Sequence, residues 1–228
     1  DSDSDNLLAA SDTVTITALF NEGMIATPTI SITGVVTNEA MSLGTAPFAP
    51  SDIATDKDGA RYVFAADING DGDMDIISAS EYDHTIAWYE NNGATDPTWT
   101  AADIATDKQG AWSVFAADMD GDGDMDIVSA SLYDDTIAWY ENNSGDGSSW
   151  TTTDIATDKD GAYSVFAADM DGDGDMDIVS ASYLDDTIAW YENNGDGSSW
   201  TAADIATDKD KPMSVFAADM DGDGDMDI

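Results

Sequence analysis

The chain has 228 residues, with 48 Asp and Glu against 6 Lys and Arg and a formal net charge of −42. Six scattered cations cannot neutralise a run of phosphates, which excludes nucleic-acid binding, and an anionic membrane surface would repel the chain. Cys is absent, so disulfides, thiolate metal sites and a thiol nucleophile are excluded, and the single His, His84, leaves little for general acid–base work. No stretch approaches the ~20 apolar residues of a membrane span, and no charged-then-apolar leader opens the chain, so membrane insertion is not expected. Disorder would suit so acidic a composition, but 42% hydrophobic residues, 7 Trp and 8 Tyr argue for a folded core. A bound cation is the expected counterweight to the charge.

Residues 1–41 contain two segments, 13–20 (TVTITALF) and 29–36 (TISITGVV), that alternate Val and Ile with Thr as half-buried strands do. Two or three strands are too few for an independent domain, so this part reads as the C-terminal remnant of a β-sandwich module. Residues 42–51 read as a linker.

From residue 52 the chain repeats itself. SVFAADMDGDGDMDIVSAS begins at Ser113 and Ser164 and recurs, cut short at Ile228, from Ser214; the variant YVFAADINGDGDMDIISAS begins at Tyr62. The first Asp of each acidic run falls at Asp67, Asp118, Asp169 and Asp219, giving units 52–102, 103–153, 154–203 and a partial 204–228. The one-residue deletion between NNSGDGSSW at Asn142 and NNGDGSSW at Asn193 marks an exposed turn. Within the second unit, strands are expected over 113–117, 127–131, 136–141 and 150–157, separated by Asp-, Gly- and Asn-rich turns. Four short strands per ~50 residues is the pattern of a β-propeller blade. Apolar runs such as TIAWY, without alternation, mean that both faces of each sheet are covered. The fold class is therefore all-β, with about three and a half four-stranded blades. Closed propellers have ~4–8 blades, so the remaining blades are expected in the same parent chain.

Each unit carries a nine-residue acidic run, DINGDGDMD at 67–75 and DMDGDGDMD at 118–126, 169–177 and 219–227. Oxygen donors at positions 1, 3 and 5, Gly at 6 and a carboxylate at 9 suit a hard cation such as Ca²⁺, which takes ~6–8 oxygens, with position 7 giving its backbone carbonyl. The EF-hand also begins Asp-x-Asp-x-Asp-Gly, but needs Glu at position 12, where this chain has Ser78, Ser129 and Ser180. Mg²⁺ prefers fewer carboxylates and Zn²⁺ prefers His or Cys. A single Asp/Gly run could be a solvated turn; four at one phase, holding 19 of the 48 acidic residues, are hard to explain without a counter-ion.

These units resemble FG-GAP/VCBS-type repeats, the blades of integrin alpha-subunit propellers and of many secreted bacterial proteins, whose motif D-x-[DN]-x-D-G-x-x-D is matched four times. The resemblance implies up to four Ca²⁺ ions, one per loop. The ligands it implies are Asp67, Asn69, Asp71, Asp73 (carbonyl) and Asp75; Asp118, Asp120, Asp122, Asp124 and Asp126; Asp169, Asp171, Asp173, Asp175 and Asp177; and Asp219, Asp221, Asp223, Asp225 and Asp227. Asn69 replaces an Asp and implies weaker binding in the first loop. Residues 1–41 resemble a bacterial Ig-like module.

The expected function is a calcium-binding, non-catalytic recognition or adhesion module of an extracellular bacterial protein, with an unidentified protein or glycan ligand. A lectin-like carbohydrate binder and an accessory propeller of a larger secreted hydrolase or lyase are the alternatives. Glu90, Glu141 and Glu192, like Asp83, Asp134 and Asp185, recur in every unit, whereas catalytic groups sit in unlike environments. His84 stands where other units have Asp135 and Asp186 and reads as drift at an exposed turn. Trp88, Trp139 and Trp190 read as core. Trp99, Trp150 and Trp200, beside loops, are the rings best placed to face a ligand.

Overall fold

The computed structural model describes residues 52–228. The Ig-like remnant at 1–41 and the linker at 42–51 lie outside the described residues. The strands are β1 (Ala60–Ala66), β2 (Asp75–Ser80), β3 (Thr85–Asn91), β4 (Trp99–Ala105), β5 (Ala111–Ala117), β6 (Asp126–Ser131), β7 (Thr136–Asn142), β8 (Trp150–Ala156), β9 (Ala162–Ala168), β10 (Asp177–Ser182), β11 (Thr187–Asn193) and β12 (Trp200–Ala206). They form three antiparallel four-stranded meanders, β1-β2-β3-β4, β5-β6-β7-β8 and β9-β10-β11-β12. Residues 207–228 begin a fourth blade, in which Ala218 bridges Asp227. No helix occurs among the described residues. The repeat bounds at 102/103, 153/154 and 203/204 fall inside β4, β8 and β12, because a repeat can be phased anywhere while a blade ends only where its fourth strand does.

Burial follows strand order. The second strands β6 and β10 are buried along their whole length, and the fourth strands β4, β8 and β12 are mostly wet. This is why the second strands lack polar alternation and the fourth strands read TAAD or TTTD. First strands of successive blades pack on each other, β1 on β5 and β5 on β9. Ala116, Ala117, Ala167 and Ala168 are buried there, and larger side chains would hold the blades apart. A ladder of rings, Phe64–Phe115–Phe166–Phe216, crosses the blades at centroid spacings of 4.5, 4.6 and 4.8 Å. Both large core clusters mix two blades: Ile77 and Ile86 meet Val114 and Tyr140, and Val128 and Ile137 meet Val165 and Tyr191. Burying each of these stabilises by ~1.5–3 kcal/mol, so the blades hold as a stack rather than singly.

Backbone and side-chain clasps fix the stack. Lys108 N–H donates to the His84 carbonyl at 3.1 Å and Gly110 N–H to His84 Nδ1 at 3.1 Å. Asp135 accepts from Lys159 N–H and, through Oδ1, from Gly161 N–H; Asp186 accepts likewise from Lys209 and Lys211. His84, Asp135 and Asp186 share φ near 58° (59, 56 and 58), a region that His and Asp tolerate better than most residues. His84 is therefore not drift at an exposed turn: it is half-buried and supplies, through an imidazole nitrogen, the acceptor that a carboxylate gives elsewhere. Three of the six cations are placed by the repeat as well. Lys57, Lys108 and Lys159 each reach the fourth strand of their own blade, at Asp103, Asp154 and Asp204.

Candidate metal centre

The acidic runs are the connections from first to second strand in each blade, and position 9 is the first residue of β2, β6 and β10. Loop 118–126 wraps its backbone N–H groups around its own carboxylates. Asp118 Oδ1 accepts from Gly121 N–H at 2.9 Å and Oδ2 from Gly123 N–H at 3.0 Å. Asp120 Oδ1 accepts from Asp122 N–H at 3.2 Å, and Asp122 Oδ1 from Asp124 N–H at 2.9 Å. Loops 169–177 and 219–227 repeat the set. In loop 67–75, Asn69 Oδ1 takes the place of the position-3 carboxylate oxygen. Position 6 has φ of +93 to +102° at Gly72, Gly123, Gly174 and Gly224, where a side chain would strain the turn.

This wrapping draws oxygens together. Asp118, Asp120 and Asp122 each place a carboxylate oxygen within 4.8 Å of the others, as do Asp169, Asp171 and Asp173, and Asp219, Asp221 and Asp227. Like charges at that separation repel by about 1 kcal/mol per pair even in water. An all-oxygen set of half-buried and exposed carboxylates fits a divalent hard cation, and each donor still has free lone pairs beside its N–H bonds. The position-7 side chains Asp73, Asp124 and Asp175 lie over the bare Gly93, Gly145 and Gly195 of their own blade's third turn, which leaves their carbonyls as the donors they could offer.

Position 9 is different in the three complete blades. Asp75, Asp126 and Asp177 are fully buried, and Asp126 and Asp177 are not among the three close carboxylates of their loops. Asp126 Oδ2 accepts from Met119 N–H at 3.1 Å and Oδ1 from Asn142 N–H at 2.8 Å. The buried Trp139 indole N–H faces the same carboxylate without hydrogen-bond geometry. Burial pushes the Asp126 carboxyl up to about 7, against the opposing pull of those backbone N–H groups. Burial raises Asp177 in the same way, and burial with the neighbouring carboxylates raises Asp120. A folded-state value above the unfolded one means that the ion-free fold takes up protons, and the stability so gained is lost as pH rises through about 7. In chelator, the melting temperature is expected to fall between pH 5 and pH 8; a flat or rising profile would contradict this placement of Asp126.

Trp150 and Trp200 do not present free platforms. Each is half-buried against an inter-blade core, and their indole N–H groups donate to the Gly147 and Gly197 carbonyls at 2.8 and 3.1 Å. The residue that sequence reasoning passed over is the first Asn of WYEN-N: Asn91, Asn142 and Asn193. Its signal was recurrence in every unit, masked because Asn beside a turn is ordinary.

The FG-GAP-like repeat model matches residues 67–129, 118–180 and 169–228, each match opening on the first Asp of an acidic loop. The chain belongs to the FG-GAP-like repeat family. FG-GAP-like repeats form propeller-type modules, often in adhesion or ligand binding, and occur typically in extracellular proteins. The chain matches no curated protein. Among the described residues no helix is long and apolar enough to cross a membrane.

Proposed function

We propose that residues 52–228 are a calcium-binding, non-catalytic recognition module of a secreted or surface-attached bacterial protein. The observation that carries this is the recurrence, at one phase in successive FG-GAP blades, of a backbone-wrapped cluster of carboxylates. In each loop the ligands are the side chains at positions 1, 3 and 5, the carbonyl at 7 and the carboxylate at 9. Four ions would offset eight of the 42 net negative charges. Extracellular calcium modules operate at ~10⁻⁴–10⁻³ M, a level that the cytosol does not sustain. Each carboxylate of a loop, the buried position 9 included, is copied from blade to blade, which suits groups that serve the fold and its ions rather than a single catalytic constellation.

Adhesion to a protein or glycan on another surface is the role this scaffold serves. The lectin reading is the weaker one, since the indoles of Trp150 and Trp200 are spent inside the fold. Immobilised glycans and extracellular proteins, probed with the calcium-loaded chain and again in chelator, test the proposal. Binding that needs calcium supports it. Turnover of a glycoside or ester substrate by the purified chain would overturn the non-catalytic assignment.

A further inference from the structure

Asn142 is wholly buried and spends every hydrogen-bonding group it has. Its backbone N–H donates to Asp126 Oδ1 at 2.8 Å and its Oδ1 accepts from Gly147 N–H at 3.0 Å. Its Nδ2 donates twice, to the Met125 carbonyl of its own blade's loop at 3.3 Å and to the Ile68 carbonyl of the preceding blade's loop at 3.0 Å. Ile68 is position 2 of loop 67–75, the peptide between ligand positions 1 and 3, and its N–H closes that loop onto Asp75 Oδ2 at 3.2 Å. Asn193 repeats the arrangement one blade on: Nδ2 donates to the Met119 carbonyl at 2.6 Å and the Met176 carbonyl at 3.0 Å, and its N–H to Asp177 Oδ1 at 2.8 Å. Asn91, in the first blade, donates through its N–H to Asp75 Oδ1 and through Nδ2 to the Met74 carbonyl and accepts from Gly93 N–H, and among the described residues it makes no bond to another blade's loop.

We infer that Asn142 and Asn193 couple the ion sites of consecutive blades, so that loops 67–75, 118–126 and 169–177 fill with positive cooperativity while loop 219–227 fills independently. The inference rests on the calcium reading of these loops. An ion held by positions 1 and 3 fixes the peptide of position 2, and with it the carbonyl that orients the Asn of the next blade. That Asn in turn holds positions 8 and 9 of the next loop, the end of the chain segment that must close around its ion. Buried bonds of this kind are stiff because a misplaced Asn leaves unpaired groups on both sides. Among the described residues the Asn bridges join loop 67–75 to 118–126 and loop 118–126 to 169–177, and none reaches loop 219–227, which stands outside the series. Coupling between sites commonly amounts to ~5–150-fold in affinity and is reciprocal.

The test is calorimetric titration of Ca²⁺ into the chelator-stripped full chain and two loop variants. Asp118→Ala with Asp122→Ala disables the middle loop, and Asp219→Ala with Asp223→Ala disables the last. The middle-loop variant is expected to lose one ion and to bind the ions of loops 67–75 and 169–177 at least ~5-fold more weakly. The last-loop variant is expected to lose one ion and leave the others unchanged. Asn142→Ala, which alters no ligand, is expected to abolish the cooperativity between the first two loops, whereas Asn91→Ala leaves it in place. Full-affinity binding at the remaining sites of the middle-loop variant, with Asn142→Ala behaving like Asn91→Ala, would overturn the coupling and leave the calcium reading standing. A titration of the unaltered chain without binding would overturn both.

Discussion

In calcium-free buffer the chain is expected to melt at least ~10 °C below its temperature in millimolar calcium, with Mg²⁺ restoring little of the difference. A ligand that binds only the folded state stabilises it by RT ln(1 + [L]/Kd), which is about 1.4 kcal/mol per site at a tenfold excess over Kd and about 6 kcal/mol for four sites. For a chain of this size 1 kcal/mol moves the melting temperature by ~2–4 °C. The effect concentrates in the acidic loops because their carboxylates are already gathered, Asp118 with Asp120 and Asp122, and Asp169 with Asp171 and Asp173. In the ion-free state that gathering is a standing repulsion, which the cation converts into attraction. Differential scanning calorimetry in chelator, Ca²⁺ and Mg²⁺ reads the result. Superimposable melts would mean that the loops close for reasons of backbone alone.

Asp126→Ala and Asp120→Ala are expected to fail in different ways. Asp126 holds Met119 N–H and Asn142 N–H in a fully buried position, and its removal orphans both donors. Each buried donor left without a partner costs ~1–3 kcal/mol, partly offset by the release of a carboxylate whose charge burial penalises. Asp126→Ala should therefore lower the melting temperature by about 5–15 °C even in chelator. Asp126→Asn, which keeps one acceptor, should lose less. Asp120 lies in the loop and, among the described residues, accepts only Asp122 N–H. Asp120→Ala should leave the chelator melt within a few degrees of the parent and lose part of the calcium-induced rise. Equal effects of the two substitutions in both buffers would contradict the division between a ligand that also staples the blade and one that serves the ion alone.

Most of the fold is legible in the sequence because the repeat multiplies each local signal. A lone SVFAA or TIAWY is ambiguous, but their recurrence at fixed offsets places all twelve strands to within about two residues of their observed ends. The acidic loops are legible for the same reason, since alternate donors and the position-6 glycine are local chemistry. What was not legible depends on which blade faces which. His84 looks like a departure from Asp until Gly110, 26 residues on, is seen to donate to it. Asn142 looks like the start of a turn until its amide reaches Ile68, 74 residues back. Trp150 and Trp200 look available beside their loops until the neighbouring blade covers them. Position 9 is the mixed case: its place in the motif predicts a ligand, while its burial shows a second task in closing the loop onto the third strand.

The most direct measurement is a crystal structure of the calcium-loaded chain with anomalous scattering from the ions. The account predicts a peak in each acidic loop, with oxygens of Asp118, Asp120, Asp122 and Asp126 and the Asp124 carbonyl at ~2.3–2.6 Å in the second loop, and equivalent shells in the others. Loops that keep their shape around water alone at millimolar calcium would contradict it.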